Sequence, residues 1–298
     1  MKIDTLLFAG SFFGAFFTGV ILSDIHCIKT RHHVISDPRI KKNTRIVSFS
    51  DLHGRSFGKN NSTLIKKIEQ LKPDMILTAG DIMTAKDLGM DIRHSVDVAC
   101  DLIHELSGIC PVYFGMGNHE SRVEWMPWLF NFKYEDMMQS FYNTGAMIMD
   151  NAHAELSDRG IRICGINLPE EYCLHKVPKC LSVGTMKRMI GRSDAGMFNI
   201  LLAHDPEYLP SYAAWGADLS ISGHYHGGIM RLPFIGGVIS PKPMIFPDYS
   251  GGMYHIQDKN QLVLCGLGVH TLPIRVFNPA ELMVIDLIKE GDKDGYTC

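Results

Sequence analysis

The chain has 298 residues, of which 46% are hydrophobic and 20% charged, with a formal net charge of -3. That balance excludes a disordered polyelectrolyte and supplies enough apolar side chain for one large core or two small ones. It also gives no overall electrostatic drive toward nucleic acid, for which a basic stripe is expected.

The first predicted element is apolar. From Thr5 to Ser23 there are 19 uncharged residues, close to the ~20 that cross a bilayer as a helix. A single transmembrane helix within an anchor of residues 1–24 is expected. The alternative, a cleaved signal peptide, lacks a basic start beyond Lys2, a twin arginine and a small-x-small cleavage site before Asp24. Lys29, Arg31, Arg39, Lys41, Lys42 and Arg45 follow the segment, against Lys2 before it. The positive-inside bias then places the remaining chain on the cytoplasmic side of the cell membrane. Gly10 and Gly14 form a G-x-x-x-G through which two such helices would pair, although glycine is common in membrane helices generally. Residues 25–44 are polar and basic and read as a juxtamembrane linker with a lead-in strand. Their His26, His32 and His33 read as a solvated stretch near anionic headgroups rather than as metal ligands.

From Arg45 onward strand-like and helix-like blocks alternate. R-I-V-S-F-S runs into Asp51, Ser62 to Leu71 has helical spacing, and M-I-L-T-A-G runs into Asp81. A second helix over Ser95 to Leu106 is stopped by Gly108 and Pro111, and V-Y-F-G-M then leads into Gly117 and Asn118. This β-α-β rhythm predicts parallel strands covered by helices. Further on, A-M-I-M-D-N, I-R-I-C-G-I, N-I-L-L-A-H, L-S-I-S-G-H, Q-L-V-L-C-G and L-M-V-I-D-L are strand candidates with fewer helices between them. They predict a second sheet packed on the first. No repeat and no Pro/Gly/Ser linker divides residues 45–290, which read as one catalytic domain followed by a tail, 291–298. The cysteines contain no C-x-x-C pair, which argues against a zinc ribbon or redox dithiol. Cys100, Cys164 and Cys265 lie in apolar segments as small hydrophobes.

Seven potential metal ligands fall in five islands: Asp51 and His53 in S-D-L-H, Asp81 in G-D, Asn118 in G-N-H-E, His204 in A-H-D-P, and His224 and His226 in G-H-Y-H. Most islands end an apolar, β-prone run, and strands lying side by side deliver their end loops to one cleft. Asp51 and His53 share a direction if the chain there is extended; alone they read equally as a helix cap and a surface histidine. Asp81 alone reads equally as a cap. His119 follows Asn118, placed to face a bound phosphate, and Asp205 is either a partner of His204 or a cap before Pro206. Carboxylates, imidazoles and one amide suit hard-to-borderline divalent metals.

The ordered set D-x-H, G-D, G-N-H-[DE], H and G-H-x-H resembles the calcineurin-like metallophosphoesterase superfamily over residues 45–287. The runs D-L-H-G, K-P-D-M-I-L-T-A-G-D and H-G-G-I-M-R-L-P-F resemble its membrane-anchored bacterial branch. The resemblance implies an α/β fold of two packed mixed β-sheets flanked by helices, an α/β/β/α sandwich, here with one N-terminal transmembrane helix. It implies two divalent metal ions, Mn²⁺ favoured over Fe²⁺, Zn²⁺, Co²⁺ or Ni²⁺. Asp51, His53 and His226 would hold the first, Asn118, His204 and His224 the second, with Asp81 shared and a bridging hydroxide as nucleophile. His119 would stabilise the transferring phosphoryl group or protonate the leaving oxygen. Glu120 would orient His119 or cap the following helix. Arg55, four residues past Asp51, would reach a substrate phosphate or else face solvent.

Trp125, Trp128, Phe130, Phe132 and Tyr134 follow the G-N-H-E island and would either cap the site or fill core. The four-proline apolar loop 232–247 follows G-H-Y-H and would flank the site mouth near a membrane. The expected activity is a membrane-anchored phosphodiesterase or pyrophosphohydrolase acting on a phosphate ester, with lipid-linked and nucleotide-type esters as the candidate substrates. The alternatives are a phosphomonoesterase, including a protein phosphatase, on the same metal core, and a non-catalytic metal-binding scaffold.

Overall fold

The computed structural model describes residues 3–86, 91–173, 179–232, 234–239, 245–269 and 273–292, with side chains from Gly14 onward. In chain order the elements are α1 (Ile3–His26), β1 (Ile28–Asp37), β2 (Thr44–Phe49), α2 (Ser62–Gln70), β3 (Met75–Thr78), α3 (Arg93–Ser107), β4 (Val112–Gly115), α4 (Asn118–Trp125), α5 (Tyr134–Tyr142), β5 (Met147–Met149), β6 (His153–Leu156) and β7 (Ile161–Ile166). They continue with α6 (Glu170–Cys173), α7 (Val183–Ile190), β8 (Phe198–Ala203), α8 (Leu209–Trp215), β9 (Leu219–Ser222), β10 (Arg231–Leu232), β11 (Gly236–Gly237), β12 (Gly252–Ile256), β13 (Lys259–Val263) and β14 (Ala280–Lys289).

The strands form two six-stranded mixed sheets, β1-β14-β2-β3-β4-β5 and β12-β13-β9-β8-β7-β6, plus a small β10-β11 hairpin. Runs such as M-I-L-T and V-Y-F-G are apolar or small at nearly every position rather than alternating, and β3, β4, β7, β8 and β9 are buried throughout. A strand buried on both faces must be covered on both. Between the sheets, Ile46, Leu77 and Tyr113 meet Ile163, Ile200, Leu202 and Ile221. Outside the first sheet, Leu64 and Ile68 of α2, Val96 and Leu102 of α3 and Phe141 of α5 pack on Val47, Ile76 and Phe114. Outside the second, Met186 of α7 and Tyr212 and Trp215 of α8 pack on Cys164, Leu201 and Val263. The expected α/β/β/α layering is thus present, and each such buried side chain contributes about 1.5–3 kcal/mol of transfer free energy.

Two features differ from the sequence reading. The stretch read as a linker with a lead-in strand is strand over half its length: β1 is a ten-residue edge strand paired in parallel with β14 from Ile28↔Ala280 to Asp37↔Lys289. Its charges suit a sheet edge, where Lys and Arg discourage pairing with another chain, and Arg31 Nε meets Glu281 Oε2 of β14 at 2.5 Å. The apolar N-terminal segment does form a continuous 24-residue helix, α1. However, the side chains of residues 1–13, which include the first nine residues of the expected span, lie outside those described, and among the described residues no helix is long and apolar enough to cross a membrane. The tail from residue 293 also lies outside the described residues.

Candidate metal centre

Strands β2, β3 and β4 are parallel to one another, as are β8 and β9, so their C-terminal ends release chain on one side of the molecule. Asp51 follows β2, Asp81 follows β3, Asn118 opens α4 just past β4, His204 directly follows β8 and His224 follows β9. All seven predicted ligands lie at this edge of the two sheets. Asp51, His53, Asp81, His224 and His226 are not extended but left-handed, with φ of 52, 54, 55, 71 and 51°. That region costs an L-residue roughly 1–2 kcal/mol, and its clustering in five side chains of one edge is the pattern of a site whose surroundings impose the conformation. The expected extended D-L-H segment is therefore replaced by a tighter one in which both side chains still turn into the same space.

The two central loops run in backbone contact. A Cβ on Gly80 would lie 2.4 Å from the Gly117 nitrogen, and one on Gly117 would lie 2.4 Å from the Asp81 nitrogen. Glycine at both positions is what lets Asp81 and Asn118 approach from neighbouring strands. Glu120, fully buried, seals this junction: its Oε2 accepts from Asp81 N (2.9 Å) and Gly117 N (2.9 Å), and its Oε1 from Ile82 N (2.8 Å) and Met83 N (3.2 Å). It caps α4, as expected, and also clamps the Asp81 loop, which sequence reasoning missed. His119 takes its orientation elsewhere, from Ala85, whose N and O lie 2.8 and 2.9 Å from Nδ1.

The ligand atoms fall into overlapping groups, each within 4.8 Å: Asp51, His53 and His226; His53, Asp81 and His119; and Asp81, His204 and His224. His53 Nε2 lies 2.9 Å from His226 Nε2 with the rings stacked, His204 Nε2 lies 2.9 Å from Asp81 Oδ2, and Asn118 Nδ2 lies 2.9 Å from His224 Nδ1. Neighbouring backbone orients several of these groups. His204 Nδ1 donates to Ala79 O at 2.6 Å, turning Nε2 inward; His224 N donates to Asp51 Oδ1 at 2.9 Å, and Ser50 Oγ to Asp51 Oδ2. Such partners fix a ligand's tautomer and direction.

The electrostatics fit a cation. Burial pushes the Asp51 carboxyl up to about 6, with Asp81 adding to the rise and His204 opposing it. Burial also opposes ionisation of Asp81, yet the adjacent His204, then His119, hold it well below the usual carboxylate range. In His204 burial is outweighed by Asp81 and Asp51, which raise it to about 10. Burial, then His119 and His226, keep His53 neutral, the ligand form of imidazole. Two buried carboxylates thus retain a proton on His204 where a divalent ion would supply charge, and the oxygen-and-imidazole donor set suits such an ion.

Other predicted positions separate. Arg55 is half-buried, stacks its guanidinium 4.7 Å over Phe57, and its Nη1 has no hydrogen-bond partner among the described residues. Asp205 caps the turn after β8, accepting from Glu207 N at 2.9 Å. Of the aromatic run, Phe130 is buried in the core under α3 and α5, Trp128 is exposed, and Trp125 lines a small cavity with Asn118, Asn167 and His204. Phe130 is thus core, as one expectation had it, while Trp125 lies next to the candidate site.

The sequence profile of the calcineurin-like phosphoesterases matches residues 44–228, more than half of the chain and all seven ligand positions. The chain belongs to the calcineurin-like phosphoesterase family. This phosphoesterase is 27% identical over 301 positions to the metallophosphoesterase YkuE of Bacillus subtilis, covering 96% of this chain and 98% of that protein. It is 22% identical over 273 positions to a metallophosphoesterase of Aquifex aeolicus, covering 90% and 95%, and 24% identical over 203 positions to the phosphodiesterase YaeI of Escherichia coli, covering 66% of each. It is accordingly a metal-dependent hydrolase of phosphate esters, using divalent metal.

Proposed function

We propose that this phosphoesterase holds two divalent ions and cleaves phosphodiester or pyrophosphate bonds at a membrane surface. The observation that carries the dinuclear reading is the position of Asp81, which groups with His53 on one side and with His204 and His224 on the other. Asp51, His53 and His226 would hold one ion, Asn118, His204 and His224 the second, and Asp81 both. When bound, the ions supply Lewis acidity and lower the pKa of water. The chain's own residues do the rest. Ala85 N and O both lie within hydrogen-bond distance of His119 Nδ1, which leaves Nε2 as the nitrogen offered to the space beside Asp81 and His53. Burial keeps the His119 pKa below the ordinary imidazole value; the negative charge of a bound phosphate ester would raise it and let Nε2 carry a proton to a phosphoryl or leaving oxygen. The free Nη1 of Arg55 supports a contact to a non-reacting phosphoryl oxygen.

Room for a group beyond the phosphate favours a substrate with an alcohol or phosphate substituent. A groove of about 600 Å³ lined by Trp125, Tyr134, Asn151, Asn167, Leu168 and Met189 adjoins the Asn118 and His204 cavity, with which it shares Trp125, Asn167 and Leu168. The membrane part of the reading rests on the 19 uncharged residues within α1, on the exposed Phe16, Phe17 and Leu22, and on the exposed Phe234 and Ile235 of the β10-β11 hairpin. Such a site suits a lipid-linked or nucleotide-type ester. The test is turnover of bis-p-nitrophenyl phosphate against p-nitrophenyl phosphate with Mn²⁺, together with metal analysis of the same sample. Faster turnover of the diester and two ions per chain are expected. A single ion per active chain would overturn the dinuclear assignment, and preference for the monoester would overturn the diester one.

A further inference from the structure

Asn278 lies far from every motif, yet it is 1% exposed and reaches the loop that carries two ligands. Its Nδ2 donates to His226 O at 2.7 Å and to Gly228 O, while its backbone N–H donates at 2.8 Å to Oδ2 of Asp24, on the last turn of α1. Three residues earlier, Arg275 is 2% exposed and spends its donors on carbonyls: Nε on Asn278 O at 2.6 Å, Nη1 on Gly268 O, and Nη2 on Cys265 O at 2.5 Å. The strand of chain that Arg275 grips then holds the Asp51 segment. Gly268 N donates to Asp51 O at 2.6 Å and Leu267 N to Ser50 O at 3.0 Å.

We propose that Arg275 and Asn278 are positioning residues for the ion held by Asp51, His53 and His226, and that Asp24 ties their turn to the N-terminal helix. This rests on the reading of those three side chains as ligands. Physically, the backbone at His226 is left-handed and is followed by two glycines that are left-handed as well, with φ of 51, 71 and 83°. Within the segment one turn bond, Gly228 N to Tyr225 O at 2.7 Å, constrains the backbone, and glycine otherwise takes either sign of φ at little cost. The Asn278 amide, donating to the carbonyls on both sides of Gly227, fixes the segment from one side, and Arg231 Nη1 holds the Gly227 carbonyl at 3.0 Å. Arg275 does the same for the opposite wall, where glycines at 266 and 268 press against Asp51 and Leu52. An arginine serves here because its planar fork offers several donors in a fixed arrangement. The consequence is a hydrogen-bonded link from α1 to the ligand shell through the Asp24 carboxylate, so the seating of the N-terminal helix and the affinity for one of the two ions are coupled.

The test uses the full-length protein, with Mn²⁺ affinity measured by chelator competition, bound metal by elemental analysis and unfolding of the metal-free protein by heat. Removing a partner that orients a ligand typically weakens metal affinity 10–100-fold. Asn278→Ala and the near-isosteric Asn278→Asp, which keeps the volume and removes both donors, are expected to weaken one of two Mn²⁺ sites by that factor, with activity recovered at high Mn²⁺. Asp24→Ala should weaken the same site, while Asp24→Asn, which keeps an acceptor oxygen, should restore it; this pair stays informative if the Asn278 variants do not fold. A role confined to general stability would lower the unfolding temperature of the metal-free protein and leave Mn²⁺ affinity unchanged, and that result in both pairs would overturn the proposal. His226→Ala separates the underlying assignment: if it binds both ions normally, the ligand reading itself is wrong.

Discussion

At the scale of single residues, the site is a set of side chains held by neighbours that do no chemistry. Asp81 belongs to two ligand groups at once, its backbone oxygen accepts from His53 N at 3.0 Å, and its Oδ1 accepts from His119 N at 2.8 Å. Asp81→Asn keeps the shape and removes the charge two ions would share, so metal binding at both positions and turnover should fall together; normal metal content with normal rate would exclude the shared role. His119 is different. Its Nδ1 is engaged by Ala85, so His119→Ala should leave metal content nearly intact and lower kcat by about 10²–10⁴-fold if it moves a proton. Loss of one ion in that variant would move His119 into the ligand shell, where its grouping with His53 and Asp81 also allows it to sit. Glu120 was readable as a cap from its place in G-N-H-E. Its grip on three N–H groups of the Asp81 loop was not, because those donors lie 37 to 39 residues away.

Among the elements, local pattern and tertiary pairing contributed unequally. The helices over Ser62–Gln70 and Arg93–Ser107 and the strands ending at Phe49, Thr78 and Gly115 are legible because apolar periodicity is local. Strand β1 was legible only as a lead-in strand of unknown partner: its K-T-R-H-H core is polar, and the β14 that pairs with it lies some 250 residues on. The turn after β1 is fastened in its turn by Asp218 at the start of β9, which takes Arg39 Nη2 at 2.9 Å, Lys259 Nζ at 2.8 Å and Asn199 N at 2.8 Å. Burial opposes its charge, but the Arg39 and Lys259 hydrogen bonds hold the Asp218 carboxyl below its ordinary value. Because the folded pKa is below the unfolded one, this contribution is complete above the ordinary value of 3.8 and is lost as pH falls through the depressed folded value. Asp218→Asn should therefore unfold more easily than the parent protein at neutral pH, and the gap should close as the medium is acidified below that range. Urea unfolding of both proteins across pH measures it, and a pH-independent gap would assign the stability to packing alone.

For the whole molecule, the question is where the two-sheet body sits. Helix α1 ends against the body, with Phe17 6.4 Å from Phe277 between ring centroids and Asp24 bonded to Asn278. Twenty-four helical residues span about 36 Å at 1.5 Å per residue, and with an uncharged stretch of 19 the proposed anchor should keep the protein in the pellet through both high salt and alkaline carbonate. Release by carbonate would reduce it to a surface contact. Metal should also stabilise the fold: at a free Mn²⁺ concentration 100-fold above its dissociation constant, each site adds about 2.7 kcal/mol. Calorimetric unfolding with and without chelator reads this directly.

What the sequence by itself determined is the family, the set of candidate ligands and the chain order of the strands that bring them together, since each rests on residue identity and on periodicities within a dozen residues. Only the tertiary structure decided that five of those candidate ligands sit in left-handed backbone, that Glu120 clamps two loops, that the polar lead-in strand pairs with β14 at a sheet edge, and that Asn278 joins α1 to His226. These depend on hydrogen bonds between segments up to 254 residues apart, and a donor's partner at that distance is chosen by how the sheets stack rather than by anything its neighbours in the chain encode.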